Sequence, residues 1–126
     1  MQENEISYLI RGCAFNVHRM LGPGLLESVY EAALTYELKS SRLAVRNQVG
    51  IPMKYKEINF EFGFRLDLLV NDMVIVEVKS VDTLLDIHHK QLLTYLKLLD
   101  KKLGLLINFN SVSLDKFSMI RIVNNL

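Results

Sequence analysis

The sequence predicts a mixed α/β fold with one sheet flanked by helices. Three observations carry this. Apolar residues near the N-terminus recur at helical spacing. Residues from Phe60 to Val70 alternate apolar and polar, the period of a strand. Leu103 to Phe109 is nearly all apolar, the mark of a strand buried on both faces.

The first helix is expected from about Glu5 to Met20, with Ile6, Leu9, Ile10, Cys13, Val17 and Met20 on its apolar stripe. Gly22-Pro23-Gly24 breaks it. A second helix is expected from Leu25 to Ser40. Leu43 to Lys56 reads as one or two extended pieces, with Pro52 at an edge or bend. In the next strand Phe60, Phe62, Phe64, Leu66, Leu68 and Val70 share one face, with Glu61, Gly63, Arg65 and Asp67 on the other. Asn71-Asp72 is a turn signal. Met73 to Ser80 forms a strand, Thr83 to Lys101 a long helix, and Lys116 to Val123 a last strand. The order α-α-β-β-β-α-β-β excludes a helical bundle and a β-sandwich.

The 126 residues suit one domain, residues 1–126. Scaling of surface with mass predicts about 6,900 Å² of exposed surface. Half the residues are hydrophobic and 23% are charged, which excludes a disordered chain. No apolar run spans a membrane, and the acidic N-terminus is unlike a signal peptide. A single cysteine excludes a disulfide framework and a cysteine-rich zinc site. A reducing cytoplasm is the expected compartment, with Cys13 in the core. Net charge is only +1. Between Tyr36 and Lys56, however, Lys39, Arg42, Arg46, Lys54 and Lys56 face a single acid, Glu37. Such a stripe suits a phosphate backbone or simply a solvated face.

Three placements are chemically odd. Glu27 shares its helix sector with Leu34 and Leu38. Glu77 and Lys79 lie two apart on one face of a valine-rich strand, where charges are costly. A two-residue loop at Asn71-Asp72 pairs Asp67 with Val76 and turns Glu77 away; a three-residue loop or bulge pairs Asp67 with Glu77. In the long helix, His88, Gln91 and Tyr95 fall on the arc that carries Leu84, Leu92 and Leu99.

Converging carboxylates beside a lysine suit Mg²⁺ or Mn²⁺. That chemistry fits phosphodiester hydrolysis. No GxSxG elbow, GxxxxGK[ST] loop or GxGxxG fingerprint is present. A glycosidase pair of Glu27 and Asp67 would lack a substrate cleft.

Asp67 followed by Glu77-Val78-Lys79 resembles the D…(D/E)XK signature of the PD-(D/E)XK nuclease superfamily, with Leu66 where the signature has proline. Gly24 to Tyr30 fits the GxxExxY pattern that names a family of small proteins within it. Gln91 to Tyr95 is similar to the QxxxY element of RecB-like nucleases. The resemblance implies a restriction-endonuclease-like αβββαβ core with a mixed central sheet. It implies a Mg²⁺ (or Mn²⁺) site of Glu27, Asp67, Glu77 and the Val78 carbonyl, with Lys79 as catalytic lysine beside Asp67 and Glu77. Gln91, Tyr95, Tyr30 and His88 would support the site or contact DNA. The expected partner is nucleic acid, DNA before RNA, with no membrane. A homodimer would enlarge the footprint of so short a chain. The competing reading is a nuclease-fold module that binds nucleic acid or protein without cutting.

Overall fold

Helix α1 runs Glu3–Leu21 in the computed structural model, which describes residues 1–126. Glu5 caps its start by accepting the Gln2 backbone N–H at 3.0 Å. Ile6, Ile10, Cys13, Ala14 and Val17 form its buried stripe. Met20, expected on that stripe, is exposed instead. Gly22 ends the helix at φ 67° and donates its N–H to the His18 carbonyl at 2.8 Å, a conformation that favours glycine. The His18 ring, which the sequence leaves unassigned, donates from Nε2 to the Ser111 carbonyl at 2.7 Å.

Helix α2 spans Glu27–Ser40 and starts two residues later than expected, because the Gly-Pro-Gly turn continues through Leu26. Five strands follow, interrupted by one helix: β1 Val45–Tyr55, β2 Ile58–Val70, β3 Val74–Lys79, α3 Asp86–Leu99, β4 Leu103–Asn108 and β5 Met119–Val123. This order contains the expected core, α2-β1-β2-β3-α3-β4. The sheet order is β1-β2-β3-β4-β5. β3 and β4 are parallel and the other neighbours antiparallel, so the sheet is mixed. The parallel pair requires the α3 crossover. β5 is shorter than expected, because residues 115–118 form a turn in which the Ser118 hydroxyl accepts the Asp115 N–H at 2.8 Å.

Each face of the sheet has its own core. Leu68, Val70, Val74, Val76, Val78, Leu105 and Ile107 pack against α1 and α2. Leu66, Leu69, Ile75 and Leu106 pack against Leu92, Tyr95 and Leu96 of α3. Every residue of β4 is buried, as its apolar run predicts.

Leu66 and Leu68 thus lie in different cores. The strict alternation expected for Phe60 to Val70 is incorrect: the pattern slips by one at Asp67. β1 changes facing with it, Val45 packing on the α1–α2 core and Val49 on the α3 core, while the register is the same on either side of Gln48 and Asp67. Gln48, opposite Asp67, adopts φ 49°, a left-handed conformation that costs a non-glycine residue roughly 1 kcal/mol. β1 and β2 then continue together well past the rest of the sheet, since β2 pairs with β3 only over Leu68–Val70. A second irregularity falls between Ile51 and Met53, at the expected Pro52 bend. The projecting hairpin agrees with a total exposed surface of 7630 Å², above the value expected of a compact chain.

Candidate functional site

The loop after β2 decides the site. It holds three residues, Asn71 to Met73, with Val70 opposite Val74. Asn71 and Asp72 take φ 52° and 56°, conformations that asparagine and aspartate tolerate. The Asn71 side chain accepts the Ala44 N–H at 2.8 Å. This is the longer of the two alternatives open in the sequence, and its register leads Asp67 to Glu77.

At that point β2 and β3 stop exchanging backbone bonds and exchange side chains instead. Glu77 Oε2 accepts the Asp67 N–H at 2.8 Å. Asp67 Oδ2 accepts the Val78 N–H at 2.8 Å. The two carboxylates are held in the opening between the strands, and each satisfies a backbone donor that the splayed ladder has left free.

Glu77 is 5% exposed. Burial, and then the charge of Asp67, pushes its carboxyl up to about 8 from 4.5; the Asp67 N–H and Lys79 pull the other way. Burial likewise raises Asp67, against the Val78 N–H, Lys79 and Gln48. Burial is the first cause for the Tyr95 hydroxyl too, and the charges of Glu77 and Asp67 raise it further. The only ion pair within 4.0 Å anywhere in the chain joins Lys101 to Asp72. Lys79 therefore acts on the pair through its field and leaves much of the negative charge uncompensated.

Two residues that sequence reasoning missed complete the site. Glu31 lies one helical turn after Glu27. Burial raises its carboxyl, and the Asp67 charge adds to this. Gln48 Nε2 bonds Glu31 Oε1 at 2.6 Å and Asp67 Oδ1 at 3.4 Å. Asn47 Nδ2 donates to Glu31 Oε2 at 3.3 Å. The i, i+4 spacing from Glu27 was the available signal for Glu31. Gln48 had none. Ser28, Glu31, Ala32, Thr35, Asn47 and Gln48 line a polar groove there.

Glu27 does not join the pair. It is exposed, and its Oε2 accepts the Ser80 N–H at 3.1 Å, just beyond Lys79. No three His, Cys, Asp or Glu side chains gather closely enough to hold a metal ion by themselves. Of the expected convergence of Glu27, Asp67 and Glu77, the structure brings Asp67 and Glu77 together across the opening and leaves Glu27 at its rim.

A family model described as the PD-(D/E)XK nuclease superfamily matches residues 4–122. The chain belongs to the PD-(D/E)XK nuclease superfamily. Neither the curated proteins nor the solved structures yield a match. Membership assigns a nuclease-type function in general terms and suggests a nucleic-acid substrate. Superfamily nucleases typically use divalent metals. The donor set here fits such an ion: Mg²⁺ takes one or two carboxylates and keeps several waters, and Asp67 and Glu77 are two neighbouring carboxylates with charge to neutralise.

The four supporting candidates of this superfamily member take different positions. Tyr30 is fully buried and cannot contact DNA. Its ring stacks on Phe109 with centroids 4.7 Å apart. Its hydroxyl donates to the Gly22 carbonyl at 2.5 Å and accepts the Leu25 N–H at 3.1 Å. It thereby pins the turn that delivers Glu27. Tyr30→Phe is expected to cost about 2 kcal/mol, from two lost hydrogen bonds in a buried setting, read by urea denaturation.

His88 is a helix cap. Its Nδ1 accepts the Leu85 N–H at 3.0 Å, which places the ring proton on Nε2. Gln91 is exposed, off the buried side of α3 that carries Leu92, Tyr95 and Leu96. Tyr95 is buried and stacks on Phe64 with centroids 4.4 Å apart, bracing the base of the hairpin. No helix is long and apolar enough to cross a membrane.

Proposed function

We propose that this protein is a Mg²⁺- or Mn²⁺-dependent nuclease that hydrolyses phosphodiester bonds of DNA, with residues 1–126 acting as one catalytic domain. The observation that supports the reading best is the reciprocal lock of Asp67 and Glu77 beside Lys79. A buried carboxylate and a half-buried one set across the same opening repel unless a proton or a cation stands between them.

Asp67, Glu77 and the Val78 carbonyl would hold the ion, with Glu27 joining through water or a side-chain rotation. When bound, the ion supplies an acidified water and offsets charge on the phosphoryl group. Gln48 fixes the Asp67 carboxylate through Oδ1. Glu77 and Asp67 each keep one oxygen anchored on a backbone N–H, which orients the other. Lys79 places an ammonium at the site, where it offsets charge on the phosphate oxygens as it accumulates. Tyr95 closes the α3 side against water. A cytoplasmic setting and a homodimer are consistent parts of this proposal.

The second reading, a nuclease-fold binding module that does not cut, is favoured by one observation, the engagement of Glu27 with Ser80 in place of a three-carboxylate cage. A cleavage panel separates the two. Single-stranded, duplex, flapped and branched DNA, and RNA, are incubated with Mg²⁺, with Mn²⁺ and with EDTA. Cutting of DNA that EDTA stops is the expected result. A folded protein that cuts nothing with either metal leaves the binding module.

A further inference from the structure

We propose that the projecting β1–β2 hairpin is a platform for single-stranded polynucleotide, on which an unpaired base stacks against Phe62 beside Arg65 while the strand leads on to Asp67. The inference rests on the nuclease reading and names the substrate class of the same site.

The hairpin presents side chains that a sheet without a partner rarely exposes together. Tyr55, Ile58, Phe60 and Phe62 are 60%, 55%, 48% and 60% exposed. Cations stand among them. Lys56 lies 5.6 Å from the centre of the Tyr55 ring, and the Arg65 guanidinium 5.8 Å from that of Phe62. Lys54, Lys56 and Arg65 stand against two acids on this arm, Glu57 and Glu61.

The orientation of Phe62 ties it to the site. Its ring lies over Gly50: a Cβ built there would fall 2.0 Å from the ring. Arg65 is the cross-strand partner of Gly50. The next pair, Ile51 and Phe64, packs on the α3 side, so Gly50, Phe62 and Arg65 occupy the opposite face. Asp67 follows Arg65 by two residues on the same strand, about 7 Å away, and its Gln48 contact reaches toward Glu31 of α2. Platform and Asp67 thus lie on one face, a short run of strand apart.

The chemistry selects the occupant. Exposed aromatics alternating with cations bind single strands, because every base has a π-face and every linkage a negative charge. A duplex hides its base faces and gains nothing from Phe62. A second copy of this chain would bring a like-charged arm against this one, whereas a polyanion complements it.

The test is binding without cutting. Fluorescence anisotropy in EDTA compares labelled oligothymidylate, oligouridylate and a blunt DNA duplex, with far-UV circular dichroism as the folding check. Wild type is expected to favour the single strands. Phe62→Ala is expected to weaken single-strand binding by about tenfold, and Phe62→Tyr to restore it by returning the π-face. Arg65→Gln is expected to lower the salt slope for single strands by about 0.7. Duplex bound as tightly as single strand, or single-strand binding that ignores Phe62→Ala, overturns the proposal. So does a wild-type dimer that Phe62→Ala dissociates without changing single-strand affinity. If Phe62→Ala binds normally and the panel still shows cutting, the platform falls and the nuclease stands. If binding depends on Phe62 and nothing is cut, the platform stands and the nuclease falls.

Discussion

Asp67→Ala is expected to reduce Mg²⁺-dependent cleavage by about a thousandfold, the scale of losing charge stabilisation worth several kcal/mol in the transition state. The substitution removes one of the two neighbouring carboxylates. It also orphans the Val78 N–H, which Asp67 Oδ2 accepts at 2.8 Å, so a loss of folding must be kept apart from a loss of chemistry. Asp67→Asn does this. Its amide oxygen still accepts the Val78 N–H, while its charge is gone. Both variants are expected to fold, by circular dichroism, and neither to cut. Asparagine cutting at the wild-type rate would show that the Asp67 charge has no part in the reaction.

Glu77→Gln is expected to make the metal-free protein more stable at pH 8.5 and to remove its activity. An ionised unfolded Glu77 needs only a pH above about 4.5, whereas the folded carboxyl holds its proton up to about 8. Across that window the folded state binds the extra proton, so wild-type stability falls as pH rises, and above 8 the loss is complete. The full displacement would carry roughly 5 kcal/mol; relaxation and water entry leave about 2 kcal/mol. Glutamine cannot ionise and its oxygen still accepts the Asp67 N–H. The gain is therefore expected at pH 8.5, as about 8 °C in Tm, and to vanish near pH 4. Saturating Mg²⁺ should raise the wild-type Tm at pH 8.5 by a similar amount and leave Glu77→Gln unmoved. Equal Tm values for the two metal-free proteins at pH 8.5 would contradict the buried-charge account.

These expectations depend on features that the sequence revealed unevenly. Asp67, Glu77 and Lys79 were legible because a charge in a valine-rich strand is expensive and must have a reason. Their pairing was open, since one residue in the loop decides which face Glu77 takes. Coordinates supplied that residue, Met73. The slip at Asp67 was not legible. A period-two reading assumes ordinary backbone, and Gln48 is a residue type that gives no warning of positive φ. For the same reason a period-two reading groups Leu66 with Leu68 and Val70, which pack in the opposite core. Gln91 and His88 show the limit of a helical wheel: it gives angles around an axis but not which arc meets the sheet, nor that His88 would turn back to cap its own helix. The motif spacing marks Tyr30 as a site residue. Its burial shows that a motif residue can act by holding a turn in place.

The central claim is that Asp67 and Glu77 bind a divalent cation together. Anomalous diffraction from crystals soaked in Mn²⁺ reads this directly. The expected result is one peak about 2.1 Å from an oxygen of each carboxylate, absent from Asp67→Asn crystals. A map with no peak at the pair, or with manganese bound only elsewhere, would contradict it.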